Sequence, residues 1–310
     1  MQKELLKPTQ FQKAIAVDGH VLGVKLGLEN FQKHNGKIRP EKIGVNNAST
    51  FTGFCQIHDD QLFSCLEKET FTKTEEQCFK LAFRSFAREY YTKSALVSMY
   101  DVNSGLDKGK PRYRQAEIQE QAFFTNVGAE AGLRDSNYQK ERFDECIEDN
   151  DYSNIRAVVI QYPNPFPVQV SGSVNPDFSF DNIKLQDLSD LEKAPDLLSF
   201  TSFYDGDKSY IVLSWLQHCH NTCTTLVESL MSKSKEDIST FLVQYIFSNF
   251  ENYYLSPEWW NGISSHDKES IVEISHDNVS LFEEPHGNSI SNKILNAVLP
   301  EPELIEYINW

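Results

Sequence analysis

The sequence predicts an α+β fold: an N-terminal α-rich region, then an antiparallel sheet, then a C-terminal helical layer. Three observations carry this. Short β-branched or alternating runs gather between residues 155 and 216 and do not alternate with helices, which argues against a parallel α/β order. Asp205-Gly206-Asp207 separates two of these runs and has the chemistry of a tight antiparallel turn. Stretches with apolar residues at helical spacing lie on both sides of the strand-rich part.

Taken in order, residues 2–16 predict a helix on Leu5, Leu6, Phe11, Ala14 and Ile15, with Pro8 as a break or late start. Asp18-Gly19-His20 then turns into an extended Val21–Val24, and a lysine-rich loop runs from Glu29 to Glu41. A strand at 42–45 and a polar turn at 46–50 lead through Gly53 to Cys55 and a helix start. Thr74 with Gln77 is a capping-box pattern for a helix to about Tyr91. Gly105, Gly109 and Pro111 break the chain. A helical stretch follows at 114–149, with Phe123, Phe124, Val127 and Leu133 expected inside and a kink or break at Gly128 and Gly132.

Strands are expected at 157–160, 168–174, 178–180, 197–204 and 209–216, a sheet of four or five. Helices follow at 220–232 and 234–250, the second capped by Ser234. A third opens at Ser256-Pro257, where a capping serine precedes proline at the first helical position. Residues 276–293 are polar and irregular, before a last short helix at 293–298.

The chain has 310 residues, enough for one large core or two moderate ones. It divides into residues 1–72, a helical region at 73–150, and the sheet with its helices at 151–310. No run of eighteen apolar residues predicts a membrane span. Six cysteines without framework spacing predict free thiols and a cytoplasmic setting. The net charge is −16, yet residues 1–50 carry eight Lys/Arg against four Asp/Glu. Nucleic acid, if bound, is therefore expected at this basic fifth or at a local patch. One such patch is Lys108, Lys110, Arg112 and Arg114; its plainer reading is a solvated loop before a helix.

Cys55-Gln-Ile-His58 places a thiolate and an imidazole three residues apart at a turn, a spacing that can grip one side of a tetrahedral zinc. Three readings stand together: a structural zinc or its relic, an ordinary cysteine with a helix-start histidine, and a catalytic metal site. Upstream, His20 is an imidazole at a plausible distance to add a donor, and Asp59 directly follows the knuckle.

From Asn46 to Phe63 the order of polar residues, apolar turn, ligand pair and amphipathic helix resembles the second half of the treble clef of HNH-type endonucleases. His58 stands at the second cysteine position and Asp59 at the position usually held by the catalytic histidine. Three strings, Ala14–Val21, Ile43–Asp59 and Ser256–Trp260, also resemble a family of poorly characterised bacterial proteins. That likeness spans residues 1 to about 275. In its usual members a cysteine knuckle and a Ser-His segment precede the helix with which this chain begins, and they supply the other zinc ligands. The resemblance implies a degenerate treble-clef remnant at 1–72, cytoplasmic location and a component of an antiphage defence system. Only Cys55 and His58 carry over as ligands.

His218-Cys219-His220-Asn221-Thr222-Cys223 holds four donor side chains, read either as a metal cluster or as buried polar groups at a strand-to-helix junction. Trp259-Trp260 reads as a core cover or as a stacking patch. No phosphate-binding glycine loop and no nucleophile elbow is present. The function expected is a non-catalytic component binding protein or nucleic acid; the alternative is a metal-dependent HNH-like nuclease using Cys55, His58, Asp59 and His20. A further reading has the N-terminal region docking on another subunit, as a heteromer or an oligomer, without metal.

Overall fold

The computed structural model describes residues 14–24, 30, 33–34, 37–48, 53–190, 192–279 and 295–310. The expected helix at 2–16 therefore lies largely outside the described residues, as does much of the loop at 29–41.

The chain is an α+β protein. Its described strands form one eight-stranded antiparallel sheet. They are β1 (His20–Gly23), β2 (Glu41–Gly44), β3 (Ile155–Tyr162), β4 (Val168–Val174), β5 (Leu198–Tyr204), β6 (Ser209–Leu216), β7 (Tyr253–Leu255) and β8 (Leu304–Ile308), in the spatial order β2-β1-β7-β4-β5-β6-β3-β8. The sheet is wider than the four or five strands expected, because short segments far apart in the chain pair at its margins. β1 pairs through Leu22 with Leu255 of β7, and β8 pairs along β3 from Ala157–Ile308 to Gln161–Leu304. Phe178 forms only an isolated bridge with Lys184, so the alternation at 178–180 does not become a strand of the sheet.

Helices cover both faces. They are α1 (Gln56–Glu67), α2 (Glu75–Ser98), α3 (Tyr100–Ser104), α4 (Arg112–Asp149), α5 (His220–Met231), α6 (Lys235–Asn249), α7 (Pro257–Gly262) and α8 (Ser265–Val279). The period-2 geometry of a strand sorts the core. Val158, Ile160 and Tyr162 of β3, with Ile211, Leu213 and Trp215 of β6, pack against Leu226, Leu242 and Ile271 of α5, α6 and α8. Ala157 and Val159, with Val212, face Phe63, Phe79, Phe83 and Phe143 of α1, α2 and α4. Burial on both faces is why β3 and β6 read as nearly continuous apolar runs.

The local signals act as expected. Thr74 accepts from the Gln77 amide at 3.2 Å, while the Gln77 carboxamide reaches back to the Thr72 amide at 2.8 Å. Ser234 and Ser256 cap α6 and α7, and Pro257 opens α7. Gly206 takes φ +109° in the β5–β6 turn, where Asp205 accepts from the amides of Asp207 and Lys208 at 2.9 Å. Gly128 and Gly132 do not interrupt α4, which runs unbroken from Arg112 to Asp149. Residues 295–298 are not helical, and 293–294 lie outside the described residues.

Candidate functional site

α2 and α4 leave the sheet together as an antiparallel hairpin. At its base Phe86 stacks on Phe143, with ring centroids 4.9 Å apart. Further out the Tyr90 hydroxyl donates to Asn137 Oδ1 at 2.9 Å, and beyond it Gly132 faces Lys93. Near the tip the Gln119 carboxamide donates to Ser104 O at 2.7 Å and to Asp107 Oδ2 at 2.9 Å. From Arg112 to Asp135 the only side chain of α4 that becomes buried is Ala122. At 1.5 Å per residue those 24 positions make an arm of roughly 35 Å.

The arm carries an apolar surface that no described residue covers. Lower on α4, Tyr138 meets the body edge-on, its ring centroid 5.8 Å from that of His218, under the Arg142 guanidinium; Phe123 and Phe124 are 56% and 64% exposed, and Tyr113 and Val127 are also exposed. At 100° per residue they share the face of α4 opposite Gly132, Ser136 and Phe143, the residues turned toward the body. Tyr91, Leu96, Met99, Val102 and Leu106 form a second exposed row on the other limb. The expectation that Phe123, Phe124 and Val127 lie inside is thus corrected. Helix α4 has two apolar faces, and the body takes the one bearing Phe143 and Cys146. Leu133 is half-buried at the flank.

Lys108, Lys110, Arg112 and Arg114 come together at the tip of this arm, all exposed. Gly109 takes φ +76° in the turn, Arg114 pairs with Glu117 at 2.8 Å, and its guanidinium lies 5.9 Å from the Tyr113 ring centroid. Between residues 91 and 135 six Lys/Arg balance six Asp/Glu, so the rest of the chain carries the whole −16. The tip is a local cationic point on a neutral arm.

Cys55 is the N-cap of α1, with no side-chain cap bond. Its Sγ lies 3.3 Å from His58 Nδ1, and both residues are exposed. Asp59 turns to Arg84 at 3.8 Å, whose guanidinium stacks over Phe63 and binds Glu67 at 2.7 Å. His20 sits at the start of β1, where Nδ1–H donates to Asp18 O at 2.7 Å. Among the described residues no three His, Cys, Asp or Glu side chains gather as a metal site would require. The knuckle brings two donors together, half of a tetrahedral set.

The 218–223 string is occupied by packing. Cys219 Sγ accepts from the Leu197 amide at 3.3 Å, and the Cys223 thiol donates to Leu197 O at 3.6 Å. Burial pushes the Cys219 thiol up to about 12 and Cys223 well above the ordinary range, so neither supplies a thiolate at neutral pH. His218 contacts Gln139 Oε1 at 2.9 Å, and burial, then Arg142, holds it below the usual histidine range. Trp259 and Trp260 pack against the main core, and the Trp259 indole donates to Val298 O at 3.3 Å.

All six cysteines are free, and among the described residues no helix is long and apolar enough to cross a membrane. The chain matches no family model, no curated protein and no solved structure.

Proposed function

We propose that this chain is a non-catalytic binding component that engages a protein through the α2–α4 arm. The observation that carries the reading is the solvent-exposed row Tyr113, Phe123, Phe124 and Val127 on the side of α4 turned away from the body. Aromatic side chains are large, rigid and costly to leave in water, and they dominate the centres of protein interfaces. A neutral arm lets an acidic partner approach where the strongly acidic body would repel it. Nucleic acid has less support, because Asp101, Asp107, Glu117 and Glu120 surround the four cations of the tip. An HNH-like nuclease has less again, with Asp59 turned to Arg84 and two donors at the knuckle.

A photo-crosslinking amino acid at position 124, compared with one at Asp190 on the body, tests this in cells. Protein adducts at 124 and none at 190 are the expected result. An uncrosslinked position 124 overturns the binding reading. Plasmid nicking in Mg²⁺ or Mn²⁺ that is lost in His58→Ala would transfer the function to the knuckle.

A further inference from the structure

Resting on that binding reading, we infer that the occupant of the arm is a second copy of this chain, its α4 packed antiparallel on the first about a two-fold axis at Val127. The exposed face of α4 contains Ala116, Glu120, Phe123, Val127, Ala131, Arg134 and Tyr138, with successive spacings of four, three, four, four, three and four residues. Alternation of three and four is the seam of paired helices. This order also reads the same in both directions from Val127. An antiparallel copy centred there sets Ala116 against Tyr138, Phe123 against Ala131, and Glu120 against Arg134. Phe123 then meets the small Ala131 and Glu120 meets Arg134, the self-complementarity that a two-fold interface demands.

Charge along the helix points the same way. α4 begins with Arg112 and Arg114 and ends with Asp144, Glu145, Glu148 and Asp149. Its first turn has no acid and its last turn no base, the reverse of what the helix dipole favours. An antiparallel neighbour offsets both ends, because its cationic tip lies beside the exposed Glu141 and Glu145 at the base of the first arm. The same arrangement holds the two acidic bodies at opposite ends of the paired arms. The paired stretch from Ala116 to Tyr138, about 35 Å long and about 10 Å wide, covers about 350 Å² per copy before the tip-to-base contacts. That is below the size of standard specific interfaces and in the range of weak, transient ones, so a dimer dissociating at tens of micromolar is expected.

Sedimentation equilibrium of the full chain tests the pairing. The wild type is expected to dimerise at tens of micromolar, more weakly as salt rises. Val127→Lys sets two cations on the axis and should weaken the dimer at least tenfold. So should Glu120→Arg or Arg134→Glu alone, whereas Glu120→Arg with Arg134→Glu should restore it. These are exposed helical positions, and circular dichroism should show an unchanged fold. Val127→Cys in a Cys55→Ser background should oxidise to a single disulfide-linked dimer, and Asp190→Cys should not. A wild type that stays monomeric at 100 µM, a dimer indifferent to Val127→Lys, or a charge reversal that fails to restore it overturns the inference. A monomer that still crosslinks another protein at position 124 overturns the self-pairing alone; a monomer with no crosslink removes the binding reading as well.

Discussion

Cys55 differs from the other five thiols in one respect, exposure. Burial raises Cys65 to about 11, Cys78 and Cys219 to about 12, and Cys146 and Cys223 upward. A disulfide-exchange reagent should therefore titrate one thiol in the folded protein and six in denaturant, and none in folded Cys55→Ser. Gly172 makes a different demand. A Cβ there would lie 2.9 Å from Cδ1 of the buried Phe250. Gly172→Ala should cost about 1–3 kcal/mol of stability, seen as a lower urea midpoint. Glu89 gives a pH signature. Burial, partly offset by the Arg88 and Lys93 charges, raises its carboxyl above the ordinary 4.5. The folded state then holds this proton more tightly than the unfolded chain, so its contribution is full below the ordinary value. That contribution is lost as pH rises through the raised value. Glu89→Gln should raise the melting temperature at pH 7 more than at pH 4.

At the scale of elements, α4 shows what sequence patterning delivers and where it stops. The caps at Thr74, Ser234 and Ser256 are local hydrogen bonds, so their residue types announce them. The helical stretch ending at Asp149 was equally plain, yet which of its two apolar faces meets the body was not. Phe123 and Phe143 look alike to a periodicity argument, and only the partner surface distinguishes them. β7 and β8 escaped for another reason. They are three to five residues long, and pairing with distant strands fixes their state. The knuckle, visible from its spacing, keeps its Cys55–His58 contact but does not draw in His20 or Asp59. Gly128 offers a test of the arm as an autonomous helix. Its Cβ direction is open space, so Gly128→Ala should add about 0.5–1 kcal/mol to stability.

For the whole molecule, the arm and the body are separable in energy. The two large core clusters contain no residue between Tyr90 and Phe143. Replacing residues 94–131 with a short Gly-Ser turn should leave the melting temperature within a few degrees of the parent while abolishing association, as light scattering would show. The body itself closes late. β3 lies between β6 and β8, and one of its edges stays bare until residues 304–308 have been made. The β1–β2 pair likewise waits for Tyr254 and Leu255, more than two hundred residues after it leaves the ribosome. Such a nascent chain presents open hydrogen-bonding edges for most of its synthesis, which invites chaperone capture. Stalled chains ending before residue 300 should sediment with holdases, and chains extended past residue 310 by a linker long enough to clear the exit tunnel should be released.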